Sequence, residues 1–151
     1  MEGRVRAALL ALFVLGASGT AAELLLLEHF EDPWQWTPLV LIGASLAVLG
    51  GHALVPGRAS LGAFRVLMLL FALSGLLGTG LHYRGNVEFE REMHPEGTLW
   101  ELFRGAMMGA TPALAPGTMI LLGSIGLLYA YRHPALGPPA GLGPTTTEVH
   151  T

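Results

Sequence analysis

Apolar residues dominate four stretches of this chain, residues 7–29, 38–55, 61–83 and 112–131, and polar residues crowd the gaps between them. A helix rises about 1.5 Å per residue and a bilayer's hydrocarbon core is about 30 Å thick, so roughly 20 apolar residues cross it. Each stretch comes near that length. The expected fold is therefore all-α: an integral membrane four-helix bundle. Aromatic residues mark its boundaries as interfacial side chains do, with Trp34 and Trp36 before the second stretch, Tyr83 ending the third, and Tyr129 and Tyr131 ending the fourth. Thr37 and Pro38 predict an N-cap and a first-turn proline, Val55-Pro56-Gly57 a helix stop, and Ser60 the cap of the third helix. Arg65, about one turn inside that helix, is expected to snorkel back to the headgroups.

The connection between the third and fourth stretches carries its own helical signal. Thr98-Leu99-Trp100-Glu101 has the capping-box pattern. From there Leu99, Leu102, Phe103, Ala106 and Ala110 share a face flanked by Trp100 and Met107, while Glu101 and Arg104 lie opposite with Met108 between them. A short amphipathic helix over 98–110 follows, resting in the outer interface or packed as a lid over the bundle. Pro116 is tolerated near the first turn of the fourth helix. Residues 134–151, rich in Pro, Gly and Thr, predict a disordered cytoplasmic tail.

Charge sets an expected orientation. Arg4, Arg6, Arg58, Arg65 and Arg132 fall at one end of the stretches, with Glu2 and Glu148 as the acids there. Arg84, Arg91 and Arg104 fall at the other, against Glu28, Glu31, Asp32, Glu88, Glu90, Glu92, Glu96 and Glu101. Positively charged loops stay in the cytoplasm, so both termini are expected inside and the acidic loops outside. All 8 Lys and Arg positions are Arg, as a GC-rich genome would give, and the expected location is a bacterial inner membrane. Arg4 and Arg6, the apolar run 7–15 and the small residues 16–22 also have the order of a signal peptide cut after Ala22. Leu24–Leu27 continues the apolar run past that point, and cleavage would leave three helices, so a retained first span is expected.

Composition excludes several chemistries. Charged residues are 13% of the chain, against about 25% in soluble domains, which fits burial in lipid. A net charge of −3 without a basic cluster argues against nucleic acid. Four short spans are similar to those of quinone-linked thiol oxidoreductases, but with no cysteine that chemistry, iron–sulfur ligation and covalent haem attachment are all removed. No phosphate loop follows a strand and no GxSxG occurs.

Small residues recur four apart at Gly16 and Thr20, Gly43, Ala47 and Gly51, and Ser74 and Gly78. Such pairs let helices approach closely, within one chain or between two copies. Glu23 is the one carboxylate inside a stretch, and an ionisable group in lipid is expected to face the bundle interior or a cavity unless it snorkels outward. Glu28, His29, His82 and His94 join it at the acidic end. Imidazole and carboxylate together suit zinc, copper(II), nickel or iron(II), so Glu23, Glu28, His29, His82 and His94 form a candidate metal set; a solvated acidic rim accounts for the same residues. His29 and His82 are alternatively axial ligands for haem b. His52 and His133, at the opposite end, read as interfacial residues. The expected function is that of a non-enzymatic accessory or structural protein of the lipid bilayer, as a homo-oligomer or in a larger membrane complex. Cation binding or transport and haem-based electron transfer are the alternatives.

Overall fold

The computed structural model describes residues 2–109 and 113–137. Among them all the regular structure is helical: α1 (Glu2–Leu26), α2 (Trp36–Leu54), α3 (Arg58–Met93), α4 (Leu99–Met108), α5 (Gly117–Ala130) and a final 3-10 turn (Pro134–Leu136). Three of these, Gly3–Leu26 within α1, α2 and α3, are long and apolar enough to cross a membrane, with hydropathies of 1.9, 1.7 and 2.0. The chain is a helical membrane protein. At 14 residues α5 is shorter, about 21 Å against a hydrocarbon core of about 30 Å. Residues 113–116 precede it as successive tight turns, because Pro116 has no N–H to continue an α-helical ladder.

The core is an aromatic and aliphatic stack shared by α1, α3 and α5. Phe13 meets Phe64 edge to face at 5.3 Å and Phe71 at 5.9 Å, and Phe64 meets Tyr129 at 5.9 Å. Such geometry sets the positive ring edge on the negative ring face. Met68, Leu122 and Ile42 fill the remaining space. Tyr129, expected at the interface, belongs instead to this core, while Tyr131 is exposed.

Glycine brings α3 and α5 together. A Cβ added at Gly75 would lie 2.6 Å from Ile120 Cγ1 and 2.8 Å from the Pro116 carbonyl oxygen. One at Gly123 would lie 2.7 Å from the Met68 carbonyl oxygen, and one at Gly16 would lie 2.7 Å from Leu122 Cδ2. Gly78 receives the ring of Pro116. Lipid gives helices no solvent-driven reason to associate, so this backbone-to-backbone contact is where packing energy is gained.

Element boundaries depart from expectation in instructive ways. α2 begins at Trp36, with Gln35 at the N-cap position and no side-chain cap, so Pro38 is the third helical residue and not the first. No first-turn N–H has an intrahelical partner, and proline is harmless anywhere there. Gly57, not Ser60, takes the cap position of α3. α3 runs 36 residues, about 54 Å, ten residues beyond the apolar stretch. Its polar end, from Arg84 to Met93, must therefore stand in the interface and the water beyond. The expected tail begins in order: Ala135 and Leu136 pack on the core, and residues 138–151 lie outside the described residues.

Candidate functional site: histidine pairs at opposite ends of the helices

The end of α1 explains the first pair. Glu28 has φ 51°, a left-handed conformation usually left to glycine. The His29 N–H donates to the Leu24 oxygen at 2.9 Å and the Glu28 N–H to the Leu25 oxygen at 3.2 Å, the two bonds of a Schellman ending. The chain reverses there, and His29 comes to lie against His82 of α3, ring centroids 6.4 Å apart with an interplanar angle of 68°. Phe30 packs on Trp36 in the same turn.

The rest of the expected metal set is dispersed. Glu23 lies exposed on α1, three residues before the helix ends. Glu28 is exposed at the turn. His94 belongs to the α3–α4 connection, where it borders a notch of about 510 Å³ with Glu90, Glu96 and Glu101. Among the described residues no group of three or more His, Asp or Glu is close enough to hold a metal ion. Of the five, the structure shows His29 and His82 in ring contact.

α4 is fixed in place by local and tertiary signals together. Thr98 accepts the Glu101 N–H at 3.3 Å, and the Glu101 carboxylate accepts the Thr98 N–H and hydroxyl at 2.8 Å each, completing the capping box. Those hydrogen bonds, the backbone one foremost, hold the Glu101 carboxyl below the usual range. Ala106 is buried, while Gly105 and Gly109 bring the α4 backbone close to Glu90 and Asn86 of α3. Leu99, Trp100 and Phe103 remain exposed, so the apolar residues divide between a face packed on α3 and an open one. Ala110, expected on the packed face, lies outside the described residues.

A second pair lies at the other end and was hidden from sequence, because its members looked like ordinary interfacial residues. His52 of α2 and His133 after α5 have centroids 5.8 Å apart, and the Tyr129 ring lies tilted against His133 at 5.4 Å. Ser60 Oγ donates to the Gly57 oxygen at 3.0 Å, so it accepts the His52 Nδ1–H at 2.7 Å and leaves Nε2 as the acceptor nitrogen. His133 is turned inward by Arg132, which, with Glu28 among the described residues, has a positive φ, here 47°. Its Nδ1 accepts the Ala135 N–H at 3.2 Å and caps the 3-10 turn. Burial first, then the charge of Arg6 and the neighbouring His52, hold the His133 imidazole below its usual range. Arg6 itself reaches across to donate to the Arg132 oxygen at 3.3 Å.

Comparison with known proteins adds no identity: the sequence matches no family model, and no curated protein or solved structure is significantly similar to it.

Proposed function

We propose that this chain is a non-enzymatic accessory membrane protein, a four-span bundle of a bacterial inner membrane with both termini in the cytoplasm, that works as a homo-oligomer through α2. The observation that carries the reading is the unequal use of glycine. Gly16, Gly75, Gly78, Gly123 and Gly126 are each met by the chain's own atoms, whereas Gly43 and Gly51 have nothing within 4 Å. Trp36, Val40, Gly43, Ala47, Gly51 and Leu54 follow one another at helical spacing and are all exposed. Larger residues at the ends of the face and small ones at its middle suit a second helix crossing there, since small residues let two backbones approach in lipid. The arginine distribution supports the orientation.

The test is the mass of the purified protein in mild detergent, measured by light scattering. Wild type should be a dimer or larger. Gly43→Ile and Gly51→Ile should shift it toward monomer with helix content unchanged, because among the described residues nothing lies within 4 Å of a Cβ added at either position. A monomeric wild type, or an oligomer indifferent to both variants, contradicts the reading.

The juxtaposition of His29 and His82 favours a second reading, ligation of haem b or a transition-metal ion between them. Metal–nitrogen bonds of about 2 Å set two opposed imidazole centroids about 6 Å apart, near the observed 6.4 Å. A visible spectrum and metal analysis of native protein, compared with His82→Ala, test it. A featureless spectrum without bound metal rejects it.

A further inference from the structure

A lateral groove of about 450 Å³ lies between α1 and α2, walled by Leu10 and Val14 on one side and Leu46, Leu49 and Gly50 on the other. Two polar residues interrupt this apolar lining, His52 and Tyr129. Each is more than nine-tenths buried, with exposures of 9% and 6%. The Tyr129 hydroxyl makes no hydrogen bond among the described residues, yet no fully enclosed polar side-chain atom lacks a partner. Its oxygen is therefore open to the surface, and the groove is a surface that Tyr129 lines. His52 is held through Nδ1 by Ser60, which leaves Nε2 without a partner among the described residues. A cation stands at the same end. Arg6 is one turn before Leu10 on the same α1 face, since Arg6, Leu10 and Val14 recur four apart. Its guanidinium reaches the Arg132 oxygen, two residues past the α5 terminus where Tyr129 sits. Among the described residues no Asp or Glu lines the groove.

We infer that this groove holds one lipid molecule with an anionic head. Its acyl chain lies between α1 and α2, and its carboxylate or phosphate is held by Arg6 and the Tyr129 hydroxyl, with His52 alongside. The volume lies within the range of about 300–1,000 Å³ typical of small-molecule sites, and an apolar cleft with a few convergent polar groups is the usual form of one. The polar end offers a cation and a hydroxyl donor against an acyl-lined wall, which matches an anionic amphiphile. A charge-assisted hydrogen bond to an anion is about twice as strong as a neutral one, so a zwitterionic head, which brings its own cation beside Arg6, is the poorer fit.

The inference does not rest on the oligomer: Gly50 lies two turns from Gly43 and so borders the small-residue face, but Tyr129, on α5, probes the groove apart from that face. It is tested by native mass spectrometry of the full chain released from neutral detergent after incubation with oleate, dioleoylphosphatidylglycerol or dioleoylphosphatidylcholine, each in turn. Wild type should retain one oleate or one phosphatidylglycerol per protomer and no phosphatidylcholine. Retention of oleate identifies a free carboxylate as the preferred head, and retention of phosphatidylglycerol a phosphodiester. Gly50→Leu fills the groove where nothing of the chain lies within 4 Å, and Tyr129→Phe removes the hydroxyl while keeping the ring against Phe64. Both variants should lower retention at least fivefold, with helical content by circular dichroism unchanged. Equal retention of all three probes by wild type, or retention unaffected by both substitutions, overturns the proposal.

Discussion

Asn86 of α3 and Ala106 of α4 are joined by a 2.8 Å hydrogen bond from the side-chain Nδ2 to the main-chain oxygen, across 20 residues of sequence. Both residues are buried. The bond is made where Gly109 brings α4 within reach of Asn86, so the polar end of α3 and the short α4 form one hairpin beyond the apolar stretches. Asn86→Leu removes the donor and sets a bulkier branched side chain against Gly109. A lost buried hydrogen bond costs about 1–3 kcal/mol. The variant should melt several degrees lower in detergent and be cut faster by protease in the 94–98 connection, with Glu92→Gln, on the exposed surface, unchanged in both measurements.

Gly75 faces main-chain atoms that have no room to move. An added methyl would lie 2.8 Å from the Pro116 oxygen and 2.9 Å from the Ile120 nitrogen. Gly75→Ala should therefore destabilise by about 1–3 kcal/mol, the usual cost of overpacking. Gly19→Ala and Gly62→Ala, where nothing lies within 4 Å, should be neutral or stabilising by up to about 1 kcal/mol through helix propensity. Thermal unfolding of the three proteins separates the two kinds of glycine.

Glu28 adopts a left-handed conformation that costs a side-chain-bearing residue roughly 1–2 kcal/mol. Glu28→Gly should relieve much of that strain and raise the melting temperature, even though a carboxylate is lost. A fall in stability would mean that the carboxylate contributes more than the backbone strain it imposes.

The helices α1, α2 and α3 were legible because lipid demands long apolar runs, and the Thr98–Glu101 capping box because its signal is purely local. The extension of α3 was not. Residues 84–93 are polar and read as loop, and their order rests on α4 packing through Gly105 and Gly109. The histidine pairs were hidden for a different reason. His29 and His133 are each turned inward by a preceding left-handed residue, and where glycine would have announced the turn this chain has Glu28 and Arg132. Proximity of His29 to His82 and of His52 to His133 depends on which helices are neighbours, which periodicity does not encode. Glu23 and His94 were grouped with His29 by the clustering of acids and histidines at one end of the stretches, and among the described residues no three such groups come close enough to hold a metal ion.

His133 gives a pH dependence with a definite sign. Its imidazole is held below the ordinary value of about 6.5 in the folded protein, so the unfolded chain takes up a proton first as pH falls. Stability is complete above about pH 6.5 and declines as pH drops through the lowered folded value. Protonation also removes the Nδ1 acceptor of the Ala135 N–H and sets a cation beside Arg6 and His52. Amide exchange at Ala135 and Leu136 should accelerate between pH 7.5 and pH 5.5, after correction for intrinsic rates, and His133→Asn should flatten the dependence.

The most direct test of the oligomer uses the chain's lack of cysteine. Ala47→Cys puts one thiol at the centre of the small-residue face, and Leu69→Cys puts one on an exposed position of α3. In isolated membranes, mild oxidation should convert Ala47→Cys to a disulfide-linked dimer and leave Leu69→Cys monomeric. Equal cross-linking at both positions, or none at Ala47→Cys, would contradict assembly through α2.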